Sequence, residues 1–179
     1  IEAKALSEKE YGQLLASQTN RYALEYSIFP DSLEPHIMEM EMHAMAAEKK
    51  DLALAAVYYT LLGNLYGMGI PAIDGFDTSA DAVKNRQRKK ELYFKKAMEH
   101  PEVLAAHTTG EYSPIISKGK DSEIFNDDLL HVIGMNTGNW KGLEKYYVET
   151  GNRRAACICS SICVKDTVEA DSLIKIYED

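Results

Sequence analysis

The sequence predicts an all-α protein of about eight helices, packed as irregular stacked hairpins. Three observations carry this. Apolar residues recur at three- and four-residue spacing along most of the 179-residue chain. Ser, Asp and Asn stand where such runs begin, and Gly or Pro where they end. Period-two alternation occurs only in Met38-Glu39-Met40-Glu41-Met42, inside a stretch whose other residues favour helix.

The first predicted helix runs from Ser7 to Ser27, with Ser7 and Glu10 as a capping box and Tyr11, Leu14, Leu15, Tyr22 and Tyr26 at helical spacing. Pro30 stops it, and Asp31 or Ser32 can cap a second helix striped by Leu33, Ile37, Met40, Ala44 and Ala47. Pro35 is tolerated there because it falls in the first turn. Asp51 caps a third helix, Leu52 to Tyr66, apolar nearly all round and therefore buried on several sides. So short a turn before it makes the second and third helices antiparallel neighbours. Gly67 to Ser79 is rich in Gly and Pro and reads as a loop.

A fourth helix, about Ala80 to Glu99, begins polar and turns Leu92, Tyr93, Phe94, Ala97 and Met98 to the core. Pro101 to Ala106 makes a single turn, and His107 to Asp121 is irregular. Ser122 to Ile133 is a fifth helix closed by Gly134 as a C′ glycine. Asn139 to Thr150 is a sixth, with Trp140, Leu143, Tyr146 and Tyr147 inward and Gly151 at its end. Asn152 caps a seventh through Val164, and an eighth starts at Asp166. No shift in composition divides the chain, so residues 1–179 read as one helical domain. It starts at Ile1 rather than Met and stops in a stretch still helical in character, as a fragment of a longer protein would.

A net charge of -8 and a pI near 5.2 argue against nucleic acid or an anionic membrane as partner. No apolar run approaches the ~20 residues of a transmembrane helix, so no direct membrane insertion is expected. Cys157, Cys159 and Cys163 lie on one short stretch, where helix geometry disfavours pairing. They read as three free thiols and lean towards a reducing compartment.

Two clusters resemble chemistry. His36, Glu39 and His43 share a helix face, as a zinc site would need, with Met38, Met40, Met42 and Met45 beside them. Asp127 and Asp128 precede His131, as in carboxylate-oriented general bases. The bland readings are stronger: core methionine and solvated imidazoles in the first case, a helix-start acid in the second. The run Lys84 to Lys90 is a solvated basic face, and Gly67-x-Gly69 lacks the third glycine of a dinucleotide site. No catalytic residue, metal or cofactor is expected.

Tyr59-x-x-Leu62-Gly63-x-x-Tyr66, followed by Phe94-x-x-Ala97 and Pro101, resembles the two halves of a tetratricopeptide hairpin. Gly63 would admit a neighbouring helix closely. The loop and polar extension between the halves depart from that pattern. Phe125 to Gly134, Tyr146-Tyr147 and Gly151 to Cys157, with Ala56 to Tyr59 and His100 to Ala105, are similar to the N-terminal helical region of alpha-2-macroglobulin-like proteins of Bacteroidetes. That resemblance spans about Leu14 to Tyr177. It implies an exported, cell-envelope or periplasmic protease-inhibitor protein in which this region docks or spaces. The family's Cys-x-Glu-Gln thioester is not matched by Cys157-Ile158-Cys159-Ser160, so no catalytic residue carries over.

The expected function is thus a non-enzymatic scaffold or protein-interaction module. Its partner would be a protein: other domains of the same chain or an envelope component. The alternatives are a free-standing cytosolic adaptor and, more remotely, a metal-dependent hydrolase using His36, Glu39 and His43. The candidate binding surface lies around Tyr66, Met68, Ile70 and Ile73, apolar residues on or beside a glycine-rich loop.

Overall fold

Helix accounts for the chain's regular structure, and no β-strand occurs among the described residues. The computed structural model describes residues 1–29, 33–67, 78–107, 128–165 and 167–177. In these lie α1 (Glu2–Glu8), α2 (Tyr11–Ile28), α3 (Leu33–Ala47), α4 (Leu52–Gly67) and α5 (Ala80–Ala97). They are followed by α6 (Pro101–Ala105), α7 (Leu129–Thr137), α8 (Trp140–Glu149), α9 (Arg153–Cys163) and α10 (Thr167–Tyr177).

The expected first helix is two. Lys9 adopts the left-handed conformation, φ 58, while the N–H groups of Lys9 and Glu10 donate back to Leu6 O and Ala5 O. This is a Schellman-type closure of α1, made without the glycine that usually signals it. Ser7 is inside α1, its hydroxyl donating to Lys4 O at 2.8 Å, so the Ser7–Glu10 capping box does not form.

α3 ends and α4 begins as their sequences dictate; the caps expected for α3, Asp31 or Ser32, lie outside the described residues. Ile37, Met40, Ala44 and Ala47 are buried along one side of α3. Asp51 Oδ1 accepts from Leu54 N at 3.1 Å and starts α4, which buries eleven of its residues. Glu41 of α3 and Glu48, just past its end, meet Tyr66 and Tyr59 of α4 in reversed order, so the two helices are antiparallel. Tyr59 and Tyr66 in turn meet Lys96 and Lys89 of α5, again in reversed order. A Cβ on Gly63 would collide with the Phe94 ring. The glycine and the aromatic of the hairpin-like signature are therefore in direct apposition, which lets α4 and α5 lie close. Leu92, expected in the core, is half exposed; Tyr93, Ala97 and Met98 face inward.

α7 also departs from expectation. Its start is Asp128, whose Oδ1 accepts from His131 N at 2.9 Å, and its end is Gly138 in the left-handed conformation, φ 65. Gly134 is not a cap but an interior residue against which the fully buried Leu143 of α8 packs. Asn139 and Asn152 cap α8 and α9 by accepting from Gly142 N and Ala155 N, each at 3.1 Å. Buried side chains from Ala5 to Cys159 join into one apolar cluster, to which α4 contributes most.

Candidate functional site

His36, Glu39 and His43 do line one small cavity, of about 250 Å³, between α2, α3 and α4. They do not converge. His36 lies against Tyr22, ring centroids 5.8 Å apart, with Nε2 3.7 Å from Glu25 Oε2. His43 lies against Tyr58 at 5.7 Å, with Nε2 3.9 Å from Glu39 Oε1. Each imidazole thus faces its own carboxylate and its own tyrosine. Among the described residues, no group of three His, Cys, Asp or Glu side chains is placed to hold a metal ion.

The cavity's remaining wall, from α2, carries no motif in the sequence. Arg21 binds Glu2 through Nε and Nη2 at 2.8 and 3.2 Å and Glu25 through Nη1 at 3.3 Å, with its guanidinium 4.2 Å above the Tyr22 ring. Gln18 is 8% exposed; its Nε2 donates weakly to Glu2 Oε2 at 3.5 Å, and its Oε1 has no partner. Glu25 Oε2 is likewise buried without a hydrogen-bond donor, His36 being too distant at 3.7 Å. Burial, and then the fields of Tyr22, Glu2 and Glu39, push the Tyr58 phenol up from its ordinary value.

The second feature is a two-rung ladder across α3, α4 and α5. In one rung Tyr59 donates to Glu48 at 2.6 Å, and Lys96 Nζ donates to Glu48 at 2.7 Å and to Tyr59 Oη at 3.0 Å. In the other, Tyr66 and Tyr93 donate to Glu41 at 3.2 and 2.5 Å, while Lys89 donates to Tyr66 Oη at 2.8 Å. Tyr93 stacks on Tyr59 at 5.8 Å and tilts against Tyr66 at 5.6 Å, tying the rungs together. The spacing of Glu41 and Glu48, Tyr59 and Tyr66, and Lys89 and Lys96 is the signal sequence reading passed over: the same seven-residue interval on α4, on α5, and on α3 with the turn that follows it.

Two carboxylates here give the fold an acid limit. Hydrogen bonds from Lys96 and Tyr59 hold Glu48 below its ordinary value of 4.5. Burial would raise Asp51, but the Tyr11 hydroxyl, the Leu54 N–H and the charges of Lys9 and His107 outweigh it and hold it below 3.8. Depressed carboxylates contribute stability above their unfolded pKa, lost as pH falls through the folded value. The urea midpoint should therefore be insensitive to these two groups above about pH 5 and fall below about pH 4. A Glu48→Gln, Asp51→Asn protein should start lower and lose less over that acid range; an equal acid slope in both proteins would remove these two groups as its source.

Tyr66, expected on an open surface, is 5% exposed and belongs to the ladder. The loop that would form that surface with it carries Met68, Ile70 and Ile73, which lie outside the described residues, as does Asp127. Asp128 and His131 are brought together, but through the His131 backbone N–H, as a helix cap; the His131 ring meets Tyr147 Oη at 3.4 Å. Cys157, Cys159 and Cys163 are free thiols. Burial, with smaller contributions from Glu144 and Cys163, pushes Cys159 up to about 11, which leaves it protonated and a poor nucleophile at neutral pH.

α3 also has an outer face. Met38, Met42 and Met45 stand 63%, 64% and 61% exposed, opposite the side that Ile37, Met40 and Ala44 bury. Their spacing places all three thioethers on one stripe.

Comparison with protein-family models, with curated proteins and with solved structures finds no match to this chain. The class of protein is therefore set by its fold: all-α. No helix of the described residues is long and apolar enough to cross a membrane.

Proposed function

We propose that the chain is a non-enzymatic helical interaction module that receives a protein partner on the Met38–Met42–Met45 face of α3. One observation carries the reading: three flexible, polarisable thioethers stand exposed in a line on a helix whose inner side is firmly packed. Such side chains repack around a partner at little cost and favour adaptable recognition. The tetratricopeptide-like geometry is supported by the apposition of Gly63 and Phe94. The setting in an envelope alpha-2-macroglobulin-like inhibitor is supported by sequence resemblance alone. The three free cysteines favour the second reading, a cytosolic adaptor.

The test is photo-crosslinking in the native cell. A photoreactive residue placed at 38, 42 or 45 of the full-length protein is expected to trap the same partner from all three positions and not from Lys84, an exposed polar site on α5. Met42→Glu with Met45→Glu should abolish capture yet change unfolding free energy by less than about 0.5 kcal/mol, as exposed sites do. Equal trapping from Lys84, or none from α3, would remove the proposal. The sequence of the complete reading frame separates the two settings: a signal peptide and successive β-sandwich domains support the envelope, their absence the cytosol.

A further inference from the structure

We infer that Met38, Met42 and Met45, on the outer face of α3, form a three-thioether site for a soft monovalent cation, copper(I). This goes beyond the docking of a protein on that face and does not rest on it.

Of the four methionines gathered on α3, only Met40 is in the core. The other three are turned to solvent, so the filling of apolar space does not account for them. They follow one another at four and three residues, about one helical turn each, where Cβ atoms are about 5–6 Å apart. Met42 stands between the other two, so Met38 and Met45 need only lean towards it. A methionine side chain is unbranched with three rotatable bonds, so the sulfurs can converge while the helix stays in place. The helix is held from its opposite side, where Ile37, Met40, Ala44 and Ala47 are buried.

The donor type decides the ion. Thioether sulfur is a neutral, polarisable ligand that selects copper(I) over harder cations. Zinc, calcium and magnesium call for thiolate, imidazole or oxygen ligands. Among the described residues, no three His, Cys, Asp or Glu side chains are placed to supply those. The harder donors nearest on α3 are engaged on its other sides: Glu41 accepts from Tyr66 and Tyr93, and Glu39 and His43 face each other at the cavity. A single positive charge is the smallest that uncharged ligands must support, and the chain's net charge of -8 favours the approach of a cation. The competing soft donors are the thiols of α9. Cys159 is buried and protonated, while Cys157 and Cys163 are only half-buried.

The test is a titration followed by NMR of protein isotope-labelled at its methionine methyl groups. Cys157→Ser and Cys163→Ser remove the two more accessible thiols, at positions where the fold does not depend on a buried side chain. Silver(I) in chloride-free buffer is the redox-inert probe, and copper(I) kept reduced under argon is the second. Both are expected to shift the methyls of Met38, Met42 and Met45 in a single saturable step, with the buried Met40 methyl unmoved and zinc without effect. Met42→Leu, which keeps an apolar side chain of similar volume at an exposed position, should weaken silver about tenfold or more. Met38→Leu and Met45→Leu should each weaken it severalfold. Shifts spread evenly over all methionines, an equal response to zinc, no saturation, or unchanged affinity in Met42→Leu would overturn the site. Silver failing to bind while positions 38, 42 and 45 still trap a protein would overturn it alone and leave the docking face standing.

Discussion

Gly134→Val is expected to lower the unfolding free energy by about 3 kcal/mol, at the upper end of what overpacking a closed core costs. A Cβ at this position would lie 2.5 Å from both Cγ and Cδ1 of Leu143 and 2.7 Å from Cδ2, so no rotation of the leucine tip clears it. Leu143 is fully exposed to its neighbours and not at all to solvent, which leaves it no outward escape. The gain in helix propensity on losing a glycine, under about 1 kcal/mol, is too small to compensate. Leu143→Ala alone should cost about 2–5 kcal/mol by opening a cavity. Combined, the two should cost less than their sum by more than about 1 kcal/mol, because each provides what the other lacks. Urea unfolding of the four proteins measures the coupling. Strict additivity would show that α7 and α8 are not packed at this crossing.

Asp51→Ala should cost about 3 kcal/mol, from a lost N-cap worth about 1 and a stranded phenol worth about 1–3. Asp51 serves two helices at once: one oxygen caps α4 through Leu54 N, and the other accepts from Tyr11 Oη at 2.5 Å. Tyr11 is 1% exposed, at the first position of α2, and its ring lies 5.0 Å from His107. Tyr11→Phe in the Asp51→Ala background should recover part of the loss, since the ring then has no hydroxyl to strand. Thermal and urea unfolding of the single and double variants decide it. If removing the hydroxyl deepens the loss, the phenol has another partner and the account of Asp51 is wrong.

The extents of α4 and α8 could be read closely from the sequence because start residue, apolar stripe and terminator agree there, and α3 showed its buried stripe. Asp51 and Asn152 were legible as caps for the same reason, and Asn139 as the start of its helix. The break at Lys9 was not, because a lysine in the left-handed conformation leaves no compositional mark. Gly134 misled in the opposite direction. A glycine after an apolar run has the form of a terminator, and only the partner that crosses it, Leu143, reveals why it is small. Of the cavity, the His36–Glu39–His43 side was visible as one helix face. Gln18, Arg21 and Tyr22 come from α2, more than a dozen residues away, and nothing local announces that they face it. The exposed methionines could be seen as a cluster, but which of them leave the core depends on how α3 is rolled against α4; Met40 goes in while Met38, Met42 and Met45 stay out.

Because the Glu–Tyr–Lys partners repeat at the same interval on α4, on α5, and on α3 with the turn that follows it, a slip of α5 by two turns would bring Lys89 to the place of Lys96 and restore one complete set of charges. Polar pairing therefore recognises the right face of α5 without recognising the right position along it. Only one register also seats Phe94 in the gap at Gly63. The aromatic and the glycine act as a detent on an otherwise sliding contact. Enlarging Gly63 would thus do more than crowd the seam: it would permit alternative alignments of α5 that keep their ion pairs while losing their common stop.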